Sequence, residues 1–230
     1  MTIKIIATIG PSSRMPLTLK AMASAGMDIA RFNTKYGDEA EFDKISATLK
    51  KLNVDILYDI KKRKTLDWVK KKDFQYLAVS FAESKSQIDS IRKELNKPDV
   101  KIISKIETKK GIKNIEELIN ASNGIMVARG DLGKNIVLEE LPMFQKLIIR
   151  KCIRKQKFVV TATEMLLSMT TNKVPTRAEV SDVANAVLDG SNALMLSEET
   201  TIGKHPVLAV KTMRKVISKT EKNKNLLFLC

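Results

Sequence analysis

Ile102-Ile103-Ser104-Lys105-Ile106-Glu107 and Ile125-Met126-Val127-Ala128-Arg129-Gly130-Asp131-Leu132-Gly133 are two apolar runs that each end in charge. Strands of a parallel sheet, buried on both faces, read as near-continuous apolar runs of this kind. The charges then lie at the carboxyl ends of consecutive strands, where parallel barrels gather their chemistry. Lys105 and Glu107 are two residues apart on one strand and therefore share a face. A cation, two hard oxygen ligands and a glycine-rich turn suit an anionic, metal-bridged ligand. Lys105 would meet phosphate, and Glu107 and Asp131 would hold Mg²⁺ or Mn²⁺. The N–H groups after Gly130 would receive a carboxylate or phosphate. The competing reading makes Lys105 and Glu107 a surface ion pair at a strand end.

Outward from these runs, the chain alternates strand and helix patterns. Apolar strand-like segments fall near 3–9, 28–33, 55–60, 76–81, 101–107, 124–129, 158–163 and 193–197. Amphipathic stretches lie between them, near 14–25, 38–51, 66–73, 84–95, 112–121, 139–155, 176–189 and 205–220. Pro175 and Thr176 precede an acidic first turn, and Gly190 closes the same helix. Eight such units, with no Gly-x-Gly-x-x-Gly turn after the first strand, predict a closed (β/α)8 TIM barrel, an α/β fold forming one domain over 1–230.

The 230 residues are 43% hydrophobic and 29% charged, which is ordinary globular character. No apolar stretch approaches the roughly 20 residues of a membrane span. Met1 opens straight into a strand-like run, so no leader is expected, and Cys152 and Cys230 fit no metal-ligand spacing. A reduced cytoplasmic setting follows as an expectation. The net charge of +15 invites nucleic acid, but the lysines are spread over most helices and only 5% of residues are aromatic. A solvated basic surface around a site for anionic substrates is preferred.

Longer motifs carry a resemblance. Ala7-Thr8-Ile9-Gly10-Pro11-Ser12-Ser13 and Ala25-Gly26-Met27-Asp28-Ile29-Ala30-Arg31-Phe32-Asn33 resemble the first two strands of the pyruvate kinase barrel. The two opening runs match its fifth and sixth strands, and Thr161-Ala162-Thr163-Glu164-Met165-Leu166 its seventh. The segment from Pro175 to Gly190, followed by Ala193-Leu194-Met195-Leu196-Ser197, is similar to the helix leading to the eighth strand and that strand itself. The resemblance implies transfer of a phosphoryl group from phosphoenolpyruvate to ADP, giving pyruvate and ATP in glycolysis. It implies that Arg31 contacts the transferred phosphate and that Lys105 neutralises the charge in flight. Glu107 and Asp131 would ligate Mg²⁺ or Mn²⁺, and Ala128, Arg129 and Gly130 would line the wall beside the substrate carboxylate. Thr163 would hydrogen-bond that carboxylate, and with Ser197 it would relay a proton to the enol carbon. Phosphoryl transfer needs positioning and charge neutralisation more than covalent chemistry, which agrees with this set.

The chain departs from the family in several places. Members carry a lid domain after the third strand, but here Asp59-Ile60-Lys61-Lys62-Arg63-Lys64-Thr65-Leu66 leads directly into a helix, with Leu66 where a nucleotide-facing arginine is expected. If lid closure contributed about 3–4 kcal/mol, its loss would slow transfer on the order of a hundred- to thousandfold. The end at Cys230 leads us to expect no C-terminal regulatory domain. Of the residues implied around a K⁺ ion, Asn33 and Asp59 match, while Lys35 and Ile60 replace a serine and a threonine. Either Lys35 or Lys64 supplies an ammonium in place of K⁺, or the cation pocket has decayed. Tyr36 stands where a histidine is expected near the nucleotide, and Glu198 replaces a glycine beside Ser197. His205 reads as a surface or capping residue and Trp68 as helix packing.

The leading expectation is a minimal, lidless pyruvate kinase. The alternatives are a lidless metal-dependent lyase or decarboxylase working through a pyruvate enolate, and a non-catalytic phosphoenolpyruvate-binding module. Nucleotide dependence separates the first from the second. Replacing Lys105 by Met is expected to spare the fold, as at a strand end. A membrane partner is not expected, and the assembly state, monomer or homo-oligomer, is open.

Overall fold

A computed structural model describes residues 2–224. Eight parallel strands close on themselves in sequence order: β1 (Lys4–Thr8), β2 (Ile29–Asn33), β3 (Asp55–Ile60), β4 (Tyr76–Val79), β5 (Lys101–Ile106), β6 (Gly124–Ala128), β7 (Phe158–Ala162) and β8 (Ala193–Leu196). Each lies within the strand segment read from the sequence. β1 pairs with β8, so no sheet edge is left open.

Strand residues alternate between two cores. Ile6, Ile29, Leu57, Tyr76, Ile103, Met126, Val160 and Met195 fill the barrel interior. Their neighbours, such as Ile5, Ala30, Ile56, Ile102 and Val127, face outward into the larger core beneath the helices. On the inner face, two residues beyond the apolar positions of several strands, the side chains become polar. Ile6 gives way to Thr8, Ile29 to Arg31, Leu57 to Asp59, Ala78 to Ser80, Ile103 to Lys105 and Met195 to Ser197. Strand polarity thus puts a packed apolar plug at one end of the barrel and a polar basin at the carboxyl end.

The outer layer is formed by α1 (Pro16–Ala25), α2 (Glu39–Lys51), α3 (Leu66–Val69), α4 (Lys85–Leu95), α5 (Lys109–Lys113), α6 (Ile115–Ala121), α7 (Arg129–Asn135), α8 (Leu141–Arg154), α9 (Arg177–Asp189), α10 (Glu198–Thr201) and α11 (Pro206–Asn223). Their ends follow from local chemistry. Asp38 and Ser84 cap α2 and α4 through backbone N–H groups, and α9 carries a reciprocal Thr176/Glu179 capping box with Gly190 at its end in the left-handed region (φ 102°). Trp68 packs on Phe42 and Tyr58, with centroids 6.2 and 5.7 Å away, as expected of a helix-packing residue. His205 occupies the N-cap position of α11.

The structure differs from the sequence reading at three helices. The stretch read as 66–73 forms one turn, α3, in which Leu66 and Val69 are buried and Trp68 half-buried before the polar run Lys70, Lys71 and Lys72. The stretch read as 112–121 breaks at Asn114 into α5 and α6. The segment read as a glycine-rich turn after β6 is helical, as α7. Between β3 and α3 lie only residues 61–65, including a 3-10 turn over Arg63–Thr65, so no domain is inserted there. Leu66 is fully buried. Among the described residues no helix is long and apolar enough to cross a membrane, and Cys230 lies outside them.

Candidate active site

The polar basin opens into a cavity of about 820 Å³, lined by Arg31, Asp59, Ser80, Lys105, Glu107 and Asp131 among others. At its base is one buried carboxylate. Asp59 accepts hydrogen bonds from Arg31 Nε (2.9 Å) and Lys105 Nζ (3.2 Å to Oδ1), with Arg31 Nη2 2.8 Å from Oδ2 and Ser80 Oγ donating at 3.3 Å. Burial alone would push the Asp59 carboxyl up, but Lys105 and Arg31 outweigh it and hold it below the ordinary range.

Lys105 uses its ammonium fully. Besides Asp59 it donates to Ser80 Oγ at 2.9 Å and lies 3.0 Å from Glu107 Oε1. Lys105 and Glu107 are an ion pair, as one sequence reading had it, but a buried one: Lys105 is 7% exposed and Glu107 1%. The other Glu107 oxygen accepts the Phe81 N–H at 2.6 Å. Burial pushes the Glu107 carboxyl up, against the opposing pull of Lys105 and the Phe81 amide. Phe81 holds this position with φ 52°, a conformation unusual for a bulky residue. Asp131 lines the same cavity half-exposed, 3.6 Å from Lys134 Nζ.

On the opposite wall, Thr163 has φ 74°, an outlier for a β-branched residue. Its hydroxyl accepts the Gly130 N–H at 2.7 Å and donates to the Ala162 carbonyl at 2.6 Å. A Cβ on Gly130 would lie 3.4 Å from that hydroxyl, so glycine permits the close approach. Ala128, Gly130 and Ser197 line the cavity. Arg129 does not. Its guanidinium turns away to Asp182 (2.7 Å) and the Thr163 carbonyl (2.6 Å), so it braces the wall from behind rather than lining it.

The residues read around a monovalent cation separate. Asn33 and Asp59 line the cavity, as does exposed Lys35, whose ammonium lies 4.9 Å from the centre of the Tyr36 ring. Lys64 is exposed in the 3-10 turn and does not line the cavity; Lys61 does. Neither Lys35 nor Lys64 pairs with Asp59, whose charge is met by Arg31 and Lys105.

Three residues of the site were missed in the sequence. Thr8 accepts from Arg31 Nη1 at 2.8 Å and donates to the Leu196 carbonyl, orienting the guanidinium. Ser80 bridges Asp59 and Lys105. Glu199, fully buried, accepts N–H bonds from Leu166 and Ser197 and ties the β7 and β8 loops together. The inward two-residue period beyond the apolar layer would have found Thr8 and Ser80. Glu199 has no such signal.

Among the described residues no group of three or more His, Cys, Asp or Glu side chains is gathered to hold a metal. Cys152 is buried and its thiol is pushed up to about 12 by desolvation, which leaves it inert.

A family model described as the pyruvate kinase barrel domain matches residues 51–210. The pyruvate kinase of Methanocaldococcus jannaschii is 48% identical over 155 residues, covering 66% of this chain and 35% of that protein. Those of Chlamydia trachomatis serovar D and Geobacillus stearothermophilus are 50% and 51% identical, over 65% and 64% of this chain and 32% and 25% of their own lengths. The aligned part of the chain thus spans between a quarter and about a third of these curated relatives.

Proposed function

The chain belongs to the pyruvate kinase family, and from that premise we propose that it transfers the phosphoryl group of phosphoenolpyruvate to ADP. The observation that carries the proposal is the convergence of Arg31 and Lys105 on Asp59, with Glu107 alongside, at the carboxyl end of the barrel.

Asp59 holds the two cations in place, and Thr8 fixes the guanidinium plane from the other side. Arg31 binds the phosphate, and Lys105 stabilises charge as it moves from the phosphoryl group to the enolate oxygen. Ala128, Gly130 and Thr163 form the wall for the substrate carboxylate. The Thr163 hydroxyl would turn from the Ala162 carbonyl to donate to it, and Ser197 lies on the same rim to pass a proton to the enol carbon.

The donor set fits a divalent cation. Mg²⁺ keeps several waters and needs only one or two protein carboxylates beside substrate oxygens. Glu107 accepts two hydrogen bonds and retains lone pairs, and Asp131 has only a long contact to Lys134. These two residues would hold Mg²⁺ or Mn²⁺. Bound there, the ion would supply charge neutralisation for the anionic substrate. With Arg31 and Lys105 already balancing Asp59, a requirement for K⁺ is not part of the proposal.

The test is pyruvate formation from phosphoenolpyruvate with Mg²⁺ or Mn²⁺, with and without ADP. ADP-dependent pyruvate and ATP support the proposal. Pyruvate chemistry that ignores ADP would mark an enolate lyase, and binding without turnover a binding module.

A further inference from the structure

The relay of Thr163 and Ser197 has two hydroxyls and no acid. Ketonisation of the enolate adds one proton at its carbon: the oxygen's electron pair closes the carbonyl, the carbon–carbon double bond opens and a C–H bond forms. A hydroxyl can pass that proton on, but it must be refilled in the same motion, because a serine or threonine left as alkoxide is a far stronger base than its surroundings sustain. A titratable group that exchanges protons with solvent completes such a wall.

Among the described residues, the titratable groups that the loops after β7 and β8 set on the cavity are Glu164 and Glu198. Glu199 does not line it, and each of its oxygens accepts a backbone N–H. Lys105, on the other side of the basin, is committed to Asp59, Glu107 and Ser80. Register separates the two candidates. Ala162 of β7 pairs with Met195 of β8, so Glu164 and Ser197 each stand two residues beyond that pair. Glu164 therefore follows Thr163 directly and comes level with Ser197, whereas Glu198 lies past the strand end as the first residue of α10.

The loop is braced at this point. Thr163 and Glu164 are successive residues in the left-handed region, with φ 74° and 53°, and both line the cavity. Arg129 holds the turn from behind: it donates to the Thr163 carbonyl at 2.6 Å and to Met165 Sδ at 2.9 Å, so its guanidinium brackets the backbone of Glu164. The Glu164 side chain is exposed, and among the described residues no cation lies within ion-pair distance of it. An exposed, unpaired carboxylate is a competent base and reloads from water.

We propose that Glu164 is the base that draws a methyl proton from bound pyruvate through the Ser197 hydroxyl and, in the forward direction, the acid that returns it. Forward, the Glu164 carboxyl gives its proton to Ser197 Oγ as Ser197 gives its own to the enol carbon. The carboxylate left behind is reprotonated from solvent, so one proton enters and one C–H bond forms. Facing the enol carbon toward this wall rests on the phosphotransfer reading. The choice of Glu164 rests on the cavity, the register and the braced turn.

The experiment is exchange of the pyruvate methyl protons for deuterium, followed by NMR in heavy water with Mg²⁺ and inorganic phosphate and without nucleotide. Glu164 is exposed, so its variants are expected to fold. Glu164→Gln should slow exchange by about tenfold to a hundredfold, within the range of one general base. Its phosphoenolpyruvate affinity, read by calorimetry, should stay within about twofold. Glu164→Asp should keep part of the exchange, Glu198→Gln nearly all of it, and added formate should restore part of what Glu164→Ala loses, which a merely structural residue would not allow. Exchange in Glu164→Gln equal to wild type overturns the proposal. So do a wild-type chain that catalyses no exchange, an equal loss in Glu198→Gln, and a parallel loss of phosphoenolpyruvate affinity. Glu164-dependent exchange in a chain that forms no pyruvate from phosphoenolpyruvate and ADP upholds the proton assignment and overturns the phosphotransfer reading.

Discussion

Lys105 on β5 reaches past β4 to Asp59 on β3, with its Nζ 3.1 Å from Oδ2. Both residues sit in the inward register just above the apolar plug, which lets strands that are not neighbours share one layer of side chains. The pair is nearly sealed from solvent, with side chains 9% and 3% exposed. Its charges are therefore strong and orientationally fixed, which is the condition under which a cation stabilises a transferring phosphoryl group.

Lys105→Met is expected to abolish phosphoryl transfer and also to weaken the fold. Removing one member of a buried ion pair costs about 3–5 kcal/mol, and the lower end applies because Arg31 still holds Asp59. The cost falls mainly on Glu107, whose carboxyl burial already pushes up and which loses its opposing cation. A carboxylate with a raised folded-state pKa costs stability above that pKa and stops doing so as the pH falls through it. The gap between wild type and variant should therefore narrow from pH 8 to pH 5. Urea midpoints across that range check it, and a variant as stable as wild type at pH 8 would refute the buried-pair account.

That expectation reverses the sequence-based one, in which the variant spared the fold. The strands themselves were legible because Ile102-Ile103 and Ile125-Met126-Val127 are apolar on both faces, as only a doubly covered parallel strand is. Period alone put Lys105 and Glu107 on one face but could not say how deep. Depth is set by closure of the ring, which brings β3 and β2 around to them. Thr8 illustrates the same limit: the period puts it on the inner face, but the Leu196 carbonyl that accepts from it is 188 residues away. Arg129 was placed on the cavity wall by the family resemblance alone. Once residues 129–135 become α7 rather than a turn, its side chain is carried behind the wall to Asp182. Lys64 was read, beside Lys35, as a candidate replacement for K⁺, yet the 3-10 turn leaves it exposed and outside the cavity.

Glu179 joins α9 to the loop that follows Thr163. Its carboxylate accepts the Ser168 N–H and hydroxyl and the Thr176 N–H and hydroxyl. Partial burial would raise its pKa, but the bonds from Ser168 and Thr176 prevail and lower it below the ordinary 4.5. A depressed carboxylate contributes stability above the unfolded-state value and loses it as the pH falls through the folded-state one. Glu179→Ala should cost about 1–2 kcal/mol at pH 7, a cap together with its loop bonds. The difference from wild type should shrink between pH 5 and pH 3, read by denaturant midpoints. A difference that persists undiminished at pH 3 would show that the lost interaction is packing rather than charge.

Glu199→Gln probes the other tie between loops. Glu199 is fully buried, its pKa is raised by desolvation, and its two oxygens each accept one backbone N–H, from Leu166 at 3.0 Å and Ser197 at 2.7 Å. Glutamine relieves the buried charge but offers one acceptor where two are needed, and its amide nitrogen would face a backbone N–H. Leaving a buried donor unsatisfied costs about 1–3 kcal/mol. The affected amide belongs either to the loop after Thr163 or to Ser197 itself, so both sides of the proposed proton path loosen. The variant should melt earlier, and amide hydrogen exchange at Leu166 or Ser197 should accelerate by about tenfold or more, following the lost free energy. Turnover should fall further than phosphoenolpyruvate affinity, because Arg31 and Lys105, which hold the phosphate, sit across the basin from the loosened loops. Unchanged exchange at both amides would mean that the loops find other acceptors and that Glu199 does not position them.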